Sequence, residues 1–202
     1  FGEHLIRQFT HVVIPTACAL LTILPETVIA ETRWQENGHE LIFNMEAPYP
    51  DDPESDVLIR RDVREFRIYI MENTNLTLLS ISGGGGLGQA AADIAQTILE
   101  FGLDTQAFGE CLSSCARIFL AGETRTLADG AQLGFHRPFV IGEEQRRYYL
   151  ANRYERGWDS SFDYVEWVYD RALTDMREMV AFMSSRGVML EFILEAMSYG
   201  PH

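Results

Sequence analysis

Three short segments in the middle of the chain hold the residue types that acyl-transfer chemistry uses: a serine, a histidine and a run of glycines. The first is Gly109-Glu110-Cys111-Leu112-Ser113-Ser114-Cys115-Ala116, where a strand is expected to turn into a helix. A serine at such a turn exposes its hydroxyl beside N–H groups that have no intrahelical acceptor, and the helix end favours developing negative charge. That environment suits an attacking Ser113, although a serine there can equally be a simple helix cap. The second segment is Leu133-Gly134-Phe135-His136-Arg137-Pro138, in which His136 closes a short apolar strand before a proline turn. Such a side chain can face a cleft and take a proton near neutral pH. The third is Leu79-Ser80-Ile81-Ser82 followed by Gly83, Gly84, Gly85 and Gly86. Glycines at 83, 85 and 88 satisfy a dinucleotide-type spacing, but no Lys-Ser/Thr follows, so this is not a Walker loop. The same backbone could instead aim an N–H at an oxyanion.

Composition narrows the chemistry. All 16 basic side chains are arginine, and arginine keeps its proton at any workable pH. A serine–lysine mechanism is therefore excluded, and His136 is the only good base in the central region. The formal net charge of −14, without a long basic run, sets nucleic-acid binding aside. Hydrophobic content of 47% and charged content of 23% are those of a chain that can build a packed core.

The elements that must position these residues follow from periodicity. Residues 46–56, rich in proline and acids, read as an exposed loop. Val63, Phe66, Ile70 and Met71 recur at helical spacing. Residues 76–81 form a buried strand running into the glycines, and 89–101 a helix with Ile94 and Ile98 on one face. A second strand covers 105–108 and a second helix 113–120, after which 125–127 and 133–135 flank a turn at Asp129-Gly130. This alternation predicts an α/β fold with parallel strands. Residues 141–156 and 161–186 are helix-patterned, with Val165, Val168, Ala172, Met176, Met179 and Met183 at three- and four-residue steps, a pattern that reads as core packing. A last short helix is expected over 190–197, so a helical arm follows the α/β core.

The first thirty residues read as a secretory signal. Arg7 and His11 precede the apolar run 12–24, and Val28-Ile29-Ala30 offers small residues before a cut. The run is shorter than the ~20 residues a bilayer span needs. Residues 31–202 would then be an exported, periplasmic domain with Cys111 and Cys115 as its cysteines, Cys18 having left with the signal. An oxidising compartment permits a disulfide between them. The absence of an initial methionine leads us to expect more chain ahead of Phe1.

Taken together and in order, these segments resemble the ClpP/crotonase superfamily, in particular its exported ClpP-like members, over about residues 76–201. Ser82-Gly83-Gly84-Gly85 is similar to the family's Ser-Pro-Gly-Gly loop, with Gly83 in place of proline. Cys111-Leu112-Ser113-Ser114-Cys115 resembles the Cys-x-Ser-Ala-Cys form of the nucleophile motif, and Phe119-Leu120-Ala121-Gly122 the end of the helix that follows it. The resemblance implies a core of parallel strands and helices with a C-terminal helical arm. It also implies a serine peptidase or related acyl hydrolase acting on a peptide or acyl substrate without cofactor or metal. Ser113 would attack, His136 would take its proton, and the N–H groups of Gly84 and Ser114 would hold the oxyanion. Homo-oligomerisation through the arm is implied too, and no signal for docking an ATPase partner is present. A crotonase-like acyl-CoA enzyme and a non-catalytic periplasmic scaffold are the alternatives. By the family's spacing the orienting acid falls just past His202, with Glu195 the best placed acid within the chain.

Overall fold

Burial that alternates along some strands and runs unbroken along the central one, with buried stripes on the helices that cover the sheet, produces one layered α/β body. The structure is a computed structural model and describes residues 32–200; the expected signal segment, with Cys18, and His202 lie outside the described residues. A hairpin opens it: β1 (Trp34–Asn37) pairs antiparallel with β2 (Glu40–Asn44) around a two-residue turn in which Gly38 takes φ 66°. The two turn residues are Gly38 and His39, and glycine at the first of them is a usual chemistry of such a turn. The hairpin was not anticipated from the sequence, because β1 is polar and only Trp34 of its four residues is buried.

Helix α1 (Arg60–Glu72) then crosses to β3 (Leu78–Gly83), which lies parallel to β2. Helix α2 (Gly88–Phe101) crosses to β4 (Asp104–Leu112), parallel to β3. Leu79, Ser80, Ile81 and Gly83 of β3 are all buried, as expected of a central parallel strand covered on both faces. Phe66 and Ile70 of α1, Ile94 and Ile98 of α2, and Phe43, Leu79 and Ala107 of the sheet share one apolar core.

Strand β4 is nine residues long, well beyond the 105–108 expected, because Gly109 bends the strand at φ 56° without ending it. Below the bend Thr105–Ala107 pairs with β5 (Arg125–Leu127); above it Glu110–Leu112 pairs with β6 (Gln132–Gly134). The last two strands therefore lie parallel to β4, one after the other along it, rather than against each other. Between β4 and β5 comes α3 (Ser114–Leu120).

The arm consists of α4 (Gly142–Arg156), α5 (Ser161–Ser185) and α6 (Leu190–Ser198). Along α5 the core-packing expectation fails for most of its length. Met183 is 4% exposed, but Val165 is 60% and Met176 39% exposed, and Ala172 also faces solvent. Only the end of this long helix returns to the core, beside Ile193 of α6; the remainder runs out with α4 as its companion. The segment 46–56 departs from expectation as well. It is irregular, yet Ala47, Tyr49 and Ser55 are buried, because Arg33 collects it from below.

Candidate active site

Strand β4, paired on both sides, delivers Ser113 just past its C-terminal end, and α3 begins at the very next residue. Ser113 is the one non-glycine among the described residues with positive φ (φ 55°, ψ −117°). An L-residue held there costs about 1–3 kcal/mol, which surrounding contacts must supply, and such outliers gather at functional sites. A strained serine on a strand-to-helix turn is how a nucleophile elbow presents its hydroxyl. The contacts that hold it are specific. Ser113 N–H donates to the Gly134 carbonyl (2.8 Å), and its own carbonyl accepts from Arg117 N–H (3.2 Å). A disulfide joins Cys111 to Cys115 across the turn, with Cα atoms 5.1 Å apart and both residues fully buried.

Ser114 plays a different part from its neighbour. Its hydroxyl is turned inward and donates to the Gly86 carbonyl (2.9 Å), while its N–H opens α3 and has no intrahelical acceptor. The glycine loop is thus tied to the Ser113 turn through Ser114, and Gly85 is where the two backbones touch. A Cβ on Gly85 would lie 2.8 Å from Ser113 Cβ and 2.9 Å from Ser114 N, and its φ of +97° is one L-residues avoid. A Cβ on Gly84 would meet nothing within 4 Å.

From the other side the loop is clamped by Leu58, whose N–H donates to the Gly85 carbonyl (2.7 Å) and whose carbonyl accepts from Leu87 N–H (2.9 Å). Leu58 is in turn ordered by a buried hub. The Arg33 guanidinium makes a two-pronged pair with Asp62 (2.7 Å each) and donates to the carbonyls of Met45, Ala47, Ser55 and Val57. Asp62 also accepts from the Tyr49 hydroxyl and from Ile59 N–H, closing the start of α1. Burial, with Asp62 beside it, holds the Tyr49 phenol well above its ordinary pKa. None of this was read from the sequence: isolated Arg33 and Asp62 carry no local signal, and only the 29-residue separation closed by the fold makes them a pair.

Two residues past Gly134, the acceptor for Ser113 N–H, stands His136. It is half-buried, and its Nδ1 lies 2.7 Å from the Arg137 carbonyl. A carbonyl can only accept, so Nδ1 carries the proton in this bond and Nε2 is left as the basic nitrogen. Arg137 N–H donates to the Tyr199 carbonyl (3.0 Å), which fixes this loop to the end of α6. Glu195 is exposed, accepts from the Tyr199 hydroxyl (3.4 Å) and makes no bond to His136. No carboxylate among the described residues bonds to that imidazole; a backbone carbonyl orients it instead.

Ser113 and His136 line one cleft of about 830 Å³ between the glycine loop, α3 and the arm. Leu87, Phe139, Val140, Met179 and Met197 give it apolar walls, while Arg60, Arg117 and Arg171 with Glu144, Asp175 and Glu178 supply charge of both signs. The size and make-up are those of a site for a ligand with a substantial apolar part.

Sheet order, crossover helices and this cleft define a ClpP-like α/β fold. A solved structure similar to this chain is that of a ClpP1 mutant from Listeria monocytogenes: TM-score 0.50, 14% sequence identity, covering 69% of this chain and 73% of that one. No protein-family model and no curated protein matches the sequence.

Proposed function

We propose that this protein is an exported serine peptidase or related acyl hydrolase of ClpP-like type. The observation that carries the reading is Ser113 itself: a non-glycine held at φ 55° between β4 and α3, lining the same cleft as His136. In the proposed reaction Nε2 of His136 accepts the hydroxyl proton as Ser113 Oγ attacks a substrate carbonyl. The Ser114 N–H and the glycine loop at Gly84 receive the charge that develops on the carbonyl oxygen. The same imidazole then returns the proton to the leaving group, and water repeats the sequence on the acyl-enzyme.

A serine-reactive fluorophosphonate tests this directly. The wild-type chain is expected to acquire one adduct, mapped to Ser113 by peptide mass. Ser113→Ala should abolish it, and His136→Gln should slow it by orders of magnitude. An adduct mapped to Ser114, or undiminished labelling of Ser113→Ala, would refute the assignment. A crotonase-like enzyme without a serine nucleophile would not label at all.

Two further features support the wider reading. The Cys111–Cys115 disulfide fits an oxidising compartment such as the periplasm, and fractionation of cells with the processed N-terminus sequenced tests export. On α5, Phe162 (81% exposed), Val165, Tyr169 and Leu173 form an apolar row without cover. Such a row supports self-association through the arm, to be read by light scattering of wild type against Phe162→Glu/Tyr169→Glu.

A further inference from the structure

One turn beyond Ser113 on α3 stands Arg117, a guanidinium in the same cleft with nothing to pair with. Its Nε is buried and has no hydrogen-bond partner, and Arg117 makes no side-chain hydrogen bond or ion pair among the described residues. The Phe182 ring lies 5.6 Å from the guanidinium carbon. Burial pushes its pKa down, yet a guanidinium stays charged at any workable pH. A half-buried charge without a partner is costly, and proteins normally answer it with a carboxylate. The nearby acids do not fill that role. Asp175 is engaged by Arg171 at 2.9 Å, while Glu178 on α5 and Asp93 on α2 act on Arg117 only from a distance.

We propose that Arg117 is a substrate-recognition residue that receives a carboxylate of an otherwise apolar peptide or acyl substrate. This rests on the Ser113 hydrolase reading and names the substrate class for it. Three observations converge. The arginine is on the nucleophile's own helix, its backbone N–H bonded to the Ser113 carbonyl, so its distance from the reacting centre is fixed. Four residues of helix rise by ~6 Å, which is about two residues of an extended peptide. Beside its apolar walls the cleft carries Arg60, Arg171, Glu144, Asp175 and Glu178, and among its arginines Arg117 is the one on the nucleophile's helix with a buried nitrogen left unbonded. Finally, Asp175, Glu178 and Asp93 act on Arg117 only through space and none of them bonds its guanidinium, so the fork is left for a ligand. A planar carboxylate is also what a guanidinium fork matches best. The carboxylate can come from a substrate's C-terminus or from an Asp or Glu side chain; both present the same chemistry.

The test uses the Ser113→Ala chain, so that binding is read without turnover. Four fluorescent leucine- and alanine-rich hexapeptides serve as probes: one with a free C-terminus, its C-terminal amide, and two amidated peptides with an internal Glu or Gln. Anisotropy titrations should show tenfold to hundredfold tighter binding of at least one carboxylate peptide than of its neutral twin, the strength of a charge-assisted bond. Which pair shows the gap identifies the source. The gap should vanish when Arg117→Gln is added and persist in part with Arg117→Lys. Equal binding of both pairs to the Ser113→Ala chain overturns the proposal whether or not the Arg117 variants fold. So does a gap that survives in a folded Arg117→Gln variant. Failure of the hydrolase reading would show separately, as absence of fluorophosphonate labelling in the wild type.

Discussion

Adding a single methyl group at Gly85 should dismantle the site, while the same change one residue earlier should pass almost unnoticed. At Gly85 the new Cβ would fall 2.8 Å from the Leu112 carbonyl oxygen, 2.8 Å from Ser113 Cβ and 2.9 Å from Ser114 N. Two of those are backbone atoms of the Ser113 turn, which is pinned by the disulfide and by the bond to Gly134, so neither can retreat cheaply. The φ of +97° adds the penalty an L-residue carries there. Overpacking a tight contact costs about 1–3 kcal/mol and the backbone conformation about 1–3 kcal/mol more, so Gly85→Ala should lose ~2–6 kcal/mol of stability. Gly84→Ala meets open space and no positive φ and should stay within about 0.5–1 kcal/mol of wild type. Urea unfolding followed by tryptophan fluorescence measures both. Fluorophosphonate labelling at a urea concentration where both variants remain folded adds the functional readout: the loop must move off Ser114 in Gly85→Ala, so its labelling should be much the slower. Equal stability of the two variants would refute the contact between glycine loop and Ser113 turn.

Removing the Asp62 carboxylate in Asp62→Ala leaves the buried Arg33 guanidinium uncompensated, and a loss of about 3–5 kcal/mol in chemical denaturation is expected. Because the same hub orders the segment leading to Leu58, labelling of Ser113 should slow in that variant even where it is folded. Cys111→Ala/Cys115→Ala opens a very short covalent loop, for which the chain-entropy relation predicts about 2 kcal/mol of lost stability. No effect on either unfolding or labelling would show that the bridge does not hold the turn. Tyr49 is protonated in the fold and its pKa is raised there, so its share of stability is intact below the unfolded value of about 10 and is lost as pH rises beyond it. Melting curves across the alkaline range should therefore fall less steeply for Tyr49→Phe than for wild type; parallel profiles would exclude this role.

Local pattern made a good part of the site legible. The apolar run into the glycines, the helix carrying Ile94 and Ile98, and the serine at a strand-to-helix turn all depend on neighbours a few residues away. They reappear as β3, α2 and the β4–α3 turn. Elements that depend on partners far along the chain were not readable in the same way. The polar strand β1 exists because β2 is beside it, and β5 and β6 share β4 because Gly109 bends that strand. The methionine stripe of α5 has the period of a core helix, but period says nothing of whether a core is there: Val165, Ala172 and Met176 are open, and only its end reaches the core.

Which residue types are available for chemistry was determined by the sequence alone: the absence of lysine leaves histidine as base, and glycines at 83–86 permit backbones to touch. Which of them meet was decided only by the tertiary structure. Arg33 finds Asp62, Leu58 clamps Gly85, Ser114 turns inward while Ser113 is held strained, and Arg117 keeps a buried nitrogen without a hydrogen-bond partner. The reason is one of range. Helical period and turn chemistry are set by bonds between residues three or four apart, whereas burial, strain and unpaired charge arise where segments tens of residues apart are pressed together.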